Sequence, residues 1–320
     1  MSYWTSKFSL RDCYFPRFMS GPLDGVFDSS FRQLVRQFSK DNLLYTEMRH
    51  VGCIVHDETG KAAFDFLPSE RPLAYQLAAH DLESLEEACE RIMKAGVDTV
   101  DLNCGCPART VVKQGAGSAL MGNVPMLKKI LQTLRKNISL PLTIKIRAGF
   151  KTKNAIEVAQ LAQDCGLDGL AIHPRLQPQM SKGRPDYALA AEVKQAISIP
   201  VFFSGNVFTS DDAKYVYERT GVDGFLIGRG MWSQPWKLAQ LEAETQGKPF
   251  YVDSRLIFST ALQHLDNMLV QYGDQGLYQF RKHLAWYIKD LPDASRLRDQ
   301  AVRSESLDEV KSVLQELMEY

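Results

Sequence analysis

Residues 99–108 read TVDLNCGCPA, and this stretch decides how the rest of the chain is organised. A short run of β-branched residues and leucine has the character of a buried strand. It stops at Cys104-Gly105-Cys106-Pro107, where glycine and proline end ladder pairing. The strand therefore carries an amide and two thiols to its carboxyl end. In a parallel α/β sheet ligands bind at that end, so Asn103 and Cys106 are candidates for chemistry rather than packing.

The same theme recurs on both sides of this stretch. From about residue 15 to residue 244, an apolar run, a Gly/Asn/Pro break and an amphipathic segment follow one another repeatedly, which is the βα alternation of a parallel sheet. Strands are predicted over 15–20, 43–48, 73–77, 99–103, 142–147, 169–173, 201–204 and 224–227. Helices are predicted over 82–95, 125–137, 154–165, 188–197 and 210–220, with Gly96, Gly166 and Gly221 suited to helix ends. The eight units predict an α/β fold, a closed (β/α)8 TIM barrel, with an open doubly wound sheet as the alternative. After residues 247–249 no further strand pattern appears, and helical periodicity covers 254–272, 275–289 and 307–319. The expected division is a barrel over residues 1–246 and a small all-helical domain over 247–320.

The 320 residues are 45% hydrophobic and 24% charged, with a formal net charge of zero. Those values suit an ordinary globular protein and exclude a uniformly basic surface, though not one basic face balanced by an acidic one. No apolar run approaches the roughly 20 residues of a membrane span, and the first residues lack a cleavable leader pattern. The chain reads as cytoplasmic. Its six cysteines show no secreted-scaffold spacing, so reduced thiols are expected, with Cys13, Cys53, Cys89 and Cys165 packing as small hydrophobes.

Taking the residue that closes each predicted strand gathers Pro22, Leu23, Asp24 and Gly25, then Glu47, Gln76, Asn103, Cys106, Lys145, Arg147, His173, Arg175, Ser204, Gly205, Asn206, Gly228 and Arg229. The segments FFSGNV (202–207) and LIGRGM (226–231) put glycine where backbone can approach a ligand closely. Gly205, Asn206, Gly228 and Arg229 can thus cradle a phosphate, as barrels often do after strands seven and eight. Lys145 stands inside the apolar run LTIKIR, where a bare ammonium is costly. It is either a site residue, suited to steadying an anionic reduced flavin, or an ion-paired core lysine. Gln76 can bond a ring edge, and His173 is either a site group or a satisfied barrel histidine. For Cys106 the readings are metal ligand, nucleophile, acid or inert thiol. The one-residue gap to Cys104 is too short for zinc, and no activating base is evident. A thiol is largely protonated at neutral pH and can act as a proton donor. In the helical part, Tyr278, Arg281, Lys282, His283, Trp286, Tyr287 and Lys289 interleave cations with aromatics. That pattern suits a phosphate backbone and stacked bases, or else an amphipathic core helix with a basic face.

These motifs resemble, over nearly the whole chain, the tRNA-dihydrouridine synthase family of FMN-dependent enzymes. GPLDGVFDSSFRQL (21–34) looks like the family's opening flavin loop and LLYTEM (43–48) its second strand. DLNCGCPARTVVKQGAGSALM (101–121), the most specific signature, is similar to the catalytic-cysteine segment. TIKIRAG, AIHPR, FFSGNV and LIGRG follow in order. The resemblance implies FMN contacts from Pro22, Leu23, Asp24, Gln76, Lys145, His173, Ser204, Gly205, Asn206, Gly228 and Arg229. It implies Cys106 as proton donor, and Asn103 and Arg147 beside the target uridine or flavin. The helical domain, with Tyr278, Arg281 and Lys282, would hold tRNA. The implied reaction reduces the uridine C5=C6 bond: NADPH reduces FMN, hydride passes to C6, and Cys106 protonates C5. No metal and no membrane are implied, and a monomer is expected. Leu23-Asp24, Pro174 and Ser204 depart from the usual family pattern. The alternatives are another FMN-dependent barrel reductase, acting on a small enone or pyrimidine, and a non-catalytic RNA-binding protein.

Overall fold

The structure, a computed structural model, describes residues 2–289, 294–304 and 306–319. Its first strands, β1 (Phe8–Leu10) and β2 (Cys13–Phe15), form an antiparallel hairpin. The nine that follow share one parallel sheet: β3 (Phe18–Ser20), β4 (Leu44–Tyr45), β5 (Arg49–His50), β6 (Leu73–Ala78), β7 (Thr99–Cys104), β8 (Leu142–Gly149), β9 (Gly169–Leu176), β10 (Val201–Ser204) and β11 (Gly224–Ile227). Their order is β3-β11-β10-β9-β8-β7-β6-β4, with β5 also on β6. The ring closes where β3 meets β4: the Ser20 N–H donates to the Leu43 carbonyl at 3.2 Å, and Ser20 Oγ accepts from the Tyr45 N–H at 2.8 Å. Helices between successive strands cover the outside, so the predicted TIM barrel is the observed fold.

Two predicted strands are revised. Residues 15–20 do not form one strand, because Pro16 lacks an N–H and separates the hairpin strand β2 from β3. Residues 43–48 do not either. Thr46 Oγ1 takes the Gln76 N–H at 3.0 Å in place of a ladder carbonyl, and pairing resumes only at β5. The hairpin, which the sequence reading did not separate, plugs the amino-terminal end of the ring. Phe8, Leu10 and Phe15 meet Met19, Tyr45, Phe202 and Leu226 in one apolar cluster, with the Phe8 and Phe202 rings 4.6 Å apart.

Period-two alternation sorts each strand. On β7, Val100, Leu102 and Cys104 join the core shared with the outer helices, while Thr99, Asp101 and Asn103 occupy the opposite, inward face. The register sets Gln76 beside Asp101 and Asp101 beside Thr143, then Asn103 beside Lys145, and Arg147 beside His173. An apolar floor is thus overlaid by polar layers that rise to the mouth.

Beyond β11, helices Ser254–Tyr272, Gln275–Tyr287, Ala294–Arg303 and Leu307–Glu316 enclose a second core that includes Phe258, Leu265, Phe280 and Leu314. Within the expected 247–320 segment, residues 290–293, 305 and 320 lie outside the described residues. The helices dock on Ser29–Phe38, the helix that follows β3. Tyr272 Oη donates to Asp28 at 2.9 Å, the Ser30 N–H donates to Gln271 Oε1 at 2.8 Å, and Trp232 stacks on Trp286 at 4.4 Å. Among the described residues no helix is long and apolar enough to cross a membrane.

Candidate active site

The two neighbouring thiols have opposite fates because β7 ends between them. Cys104 is the last outward residue of the strand and is fully buried, which pushes its thiol well above the usual range. Cys106 has left the ladder and lines a cavity of about 290 Å³ at the carboxyl ends of the strands.

A chain of hydrogen bonds holds the cysteine loop from below. Asn103 Oδ1 accepts from the N–H groups of Gly105 (3.1 Å) and Cys106 (2.8 Å). Asn103 Nδ2 donates to Gln76 Oε1 at 2.7 Å, and Gln76 Nε2 donates to Asp101 Oδ2 at 2.7 Å. Thr143 Oγ1 donates to Asp101 Oδ1 at 2.6 Å. Burial raises the Asp101 carboxyl to about 6, against the pull of Thr143, Gln76 and Lys145. Arg147 braces the loop from the side, since its Nε donates to the Gly105 carbonyl at 2.7 Å and its Nη1 to the Met180 carbonyl at 2.8 Å.

Across the mouth the groups are cationic or backbone. Burial, with Arg147 nearby, lowers Lys145 to about 8, so it still carries its proton at neutral pH. Burial together with Lys145, Arg147, Arg175 and Arg229 drives His173 down to about 2. Its neutral ring faces Arg175 Nη1 at 2.8 Å. Because a guanidinium can only donate, His173 Nε2 accepts and the ring proton resides on Nδ1. Gly205 has φ +134°, and a Cβ there would come within 3.1 Å of His173 and 3.4 Å of Arg175. Arg175 Nε is buried without a partner. Arg229 Nη2 donates to Asn206 Oδ1 at 3.2 Å.

Of the barrel residues gathered from the predicted strand ends, Pro22, Leu23, Asp24, Gln76, Asn103, Cys106, Lys145, Arg147, His173, Ser204, Gly205, Asn206, Gly228 and Arg229 line this one cavity, whereas Gly25, Glu47 and Arg175 do not. The cluster on helix Gln275–Tyr287 divides instead. His283 and Tyr287 are buried. Arg281 lies over the half-exposed Tyr278 ring at 4.6 Å and donates to the Ser304 carbonyl at 3.0 Å. Lys282 reaches the loop after β3, its ammonium 3.8 Å from where a Cβ on Gly25 would stand. Met48, Ser181 and Phe208 also line the cavity and carry no motif that marks them. Asp101 stands in the middle of β7 rather than at its end, and a carboxylate at an inward position of a buried strand is itself a signal of a polar site. Among the described residues no three His, Cys, Asp or Glu side chains are placed to hold a metal ion.

The family model described as dihydrouridine synthase (Dus) matches residues 19–319. The probable tRNA-dihydrouridine synthase 1 of Synechocystis sp. is 34% identical over 93% of this chain and 85% of its own length. The tRNA-dihydrouridine synthase B of Pseudomonas aeruginosa is 32% identical over 91% of this chain and 90% of its own. Among solved structures, morphinone reductase superimposes with a TM-score of 0.58 at 12% identity, covering 78% of this chain and 91% of that one, a likeness of fold alone. With the match spanning both the barrel and the helices behind it, the chain belongs to the dihydrouridine synthase family.

Proposed function

We propose that this protein is a tRNA-dihydrouridine synthase, an oxidoreductase that saturates the C5=C6 bond of uridine in tRNA with FMN as cofactor and NADPH as reductant. One observation carries the reading: Cys106 and the loops of Gly205 and Gly228 come from opposite sides of the ring yet line the same cavity. The donor set suits FMN. Ser204, Gly205, Asn206, Gly228 and Arg229 would hold its phosphate. Pro22, Leu23, Asp24, Gln76, Lys145 and His173 would hold its ring system.

Held by these residues in its reduced form, FMN would supply hydride chemistry at C6. Cys106 holds the proton that C5 takes, and the Asn103 and Arg147 hydrogen bonds to its loop keep the thiol at the cavity wall. Lys145 keeps a positive charge in the cavity where negative charge would otherwise be costly. Asn103 and Arg147 would also border the target base.

A stacked uracil cannot present its face to such a cavity, so the nucleotide must be extruded into it. The surface around the mouth suits that partner. The three consecutive loops after β7, β8 and β9 carry the exposed Arg109, Lys113, Lys151, Lys153, Lys182 and Arg184. Their one acidic residue, Asp186, pairs with Lys153 at 2.7 Å. The loops after β5 and β6 carry Asp57, Glu58, Asp65, Asp81 and Glu83 with Lys61 among them, so a net charge of zero conceals a basic arc. We take residues 1–246 as the catalytic barrel and 247–320 as the part that holds tRNA, with Lys282 at the lip and Tyr278 and Arg281 behind it. Phosphates spanning arc and lip would give a salt-dependent affinity.

The test is to incubate the purified protein with FMN, NADPH and an unmodified tRNA transcript and to analyse nuclease digests by mass spectrometry. Dihydrouridine at defined positions is the expected result. A colourless protein that binds tRNA and leaves every uridine intact would overturn the assignment.

A further inference from the structure

We propose that Asp101 is a positioning residue, whose carboxylate fixes the direction of the amide relay running through Gln76 and Asn103 to the backbone of Cys106. The proposal deepens the functional reading above and rests on it for its catalytic consequence. Asp101 is fully buried in the middle of β7, where an apolar side chain would be the cheaper occupant. Nothing in the proposed reaction uses it directly.

Each amide in the relay has a donor end and an acceptor end and can turn over. The carboxylate can only accept from Gln76, so Gln76 must present Nε2 to it and Oε1 to Asn103. Asn103 must then give Nδ2 to Gln76 and keep Oδ1 for the Gly105 and Cys106 N–H groups. The two ends of the relay are unequal. At the rim, water can replace Asn103 as partner of the loop amides, whereas at Asp101 the interior is sealed and no substitute exists. The buried end therefore commands the exposed one. Without its acceptor, Gln76 Nε2 recovers a bond by turning toward Asn103 Oδ1, which draws that oxygen away from the loop and frees Cys106. The locked Gln76 also shows one fixed pattern, a remaining N–H and a remaining lone pair, to whatever ring edge enters the cavity.

The test compares Asp101→Leu with Asp101→Asn in the flavin-bound protein. Asparagine keeps an acceptor for Gln76 and can donate to Thr143 Oγ1, so it preserves the direction; leucine removes it. Peptide-resolved alkylation by iodoacetamide reports the freedom of Cys106 independently of turnover. For the leucine variant, Cys106 alkylation should accelerate and kcat for uridine reduction should fall by about a hundredfold, as expected for a misplaced reacting group, with KM for tRNA unchanged. The asparagine variant should restore both. Wild-type alkylation and kcat in the leucine variant would overturn the proposal, and so would an asparagine variant as impaired as leucine. Should the leucine variant fail to fold, Asp101→Val, smaller and β-branched as a strand interior favours, removes the acceptor at the same link and is judged by the same two measurements. A wild-type protein that never reduces uridine would instead sink the functional reading, leaving the alkylation comparison to decide the role of Asp101.

Discussion

The floor and the mouth of the barrel are made by the same strands, a single inward position apart, yet they obey different rules. On β10 the floor residue is Phe202 and the next inward residue is Ser204. On β9 the pair is Ala171 and His173, on β6 Ala74 and Gln76, and on β11 Leu226 and Gly228. The step is about 7 Å along each strand. Below it, apolar side chains meet the β1–β2 plug and water is excluded. Above it, cations, amides and glycines converge, and several are left with capacity for a ligand. The contrast teaches that stability and chemistry are divided by height in the barrel rather than by element.

That division can be broken most sharply at the cysteines. Cys106→Ala should lower single-turnover uridine reduction by about 10²–10⁴-fold while flavin content stays intact. Cys104→Ala, in the outer core, should keep turnover and lose about 1 kcal/mol of stability. Equal activity in the two variants would remove Cys106 as the acid. The next largest effect belongs to the floor. Phe202→Ala should cost about 3–5 kcal/mol in denaturant unfolding, whereas Ser204→Ala should stay within about 0.5 kcal/mol and instead weaken flavin retention. If Ser204→Ala destabilised as much as Phe202→Ala, the two heights would not be distinct. Replacing both Lys145 and Arg229 with alanine should lower the flavin content of the purified protein, read from its visible absorbance, and full occupancy would contradict the site as drawn.

The smallest effect concerns a third setting, the contact between barrel and helices, where His264 and His283 are buried beside Phe31. Burial lowers both, His264 to about 4. Their folded-state values lie below the unfolded value of 6.5, so the unfolded chain binds more protons in that interval and stability rises with pH across it. The contribution is complete above about 6.5 and drains away toward pH 4. Thermal unfolding followed through this window should show a midpoint falling by several degrees on acidification, and His264→Phe should flatten the slope. A slope identical in that variant would place the pH dependence elsewhere.

Much of the mouth was legible because a strand announces its own end. Glycine, proline and polar residues close each apolar run, so Asn103, Lys145, His173, Gly205 and Gly228 could be assigned to one rim without knowledge of any contact. The hairpin plug was harder to see, since Phe8, Leu10 and Phe15 look like any apolar residues until the ring they stop exists. Strand 43–48 failed for a related reason: a threonine hydroxyl can stand in for a ladder carbonyl only when its partner strand is in place. The segment 278–289 divides, with His283 and Tyr287 packed inward and the Lys282 ammonium beside the Gly25 loop. Periodicity alone could not divide them.

By itself the sequence determined the succession of strands and helices, the end of the barrel that carries polar groups, and the thiol that stands just past a strand. Those properties depend on neighbours along the chain, on side-chain alternation and on the backbone limits of glycine and proline. Only the tertiary structure decided that Asp101, Gln76 and Asn103 form one directed relay, that the hairpin seals the floor, and that Lys282 reaches the Gly25 loop from the far helices. Each depends on groups tens of residues apart being brought within hydrogen-bonding or van der Waals distance. Closure of the ring and docking of the helices set those distances, and local patterns do not encode them.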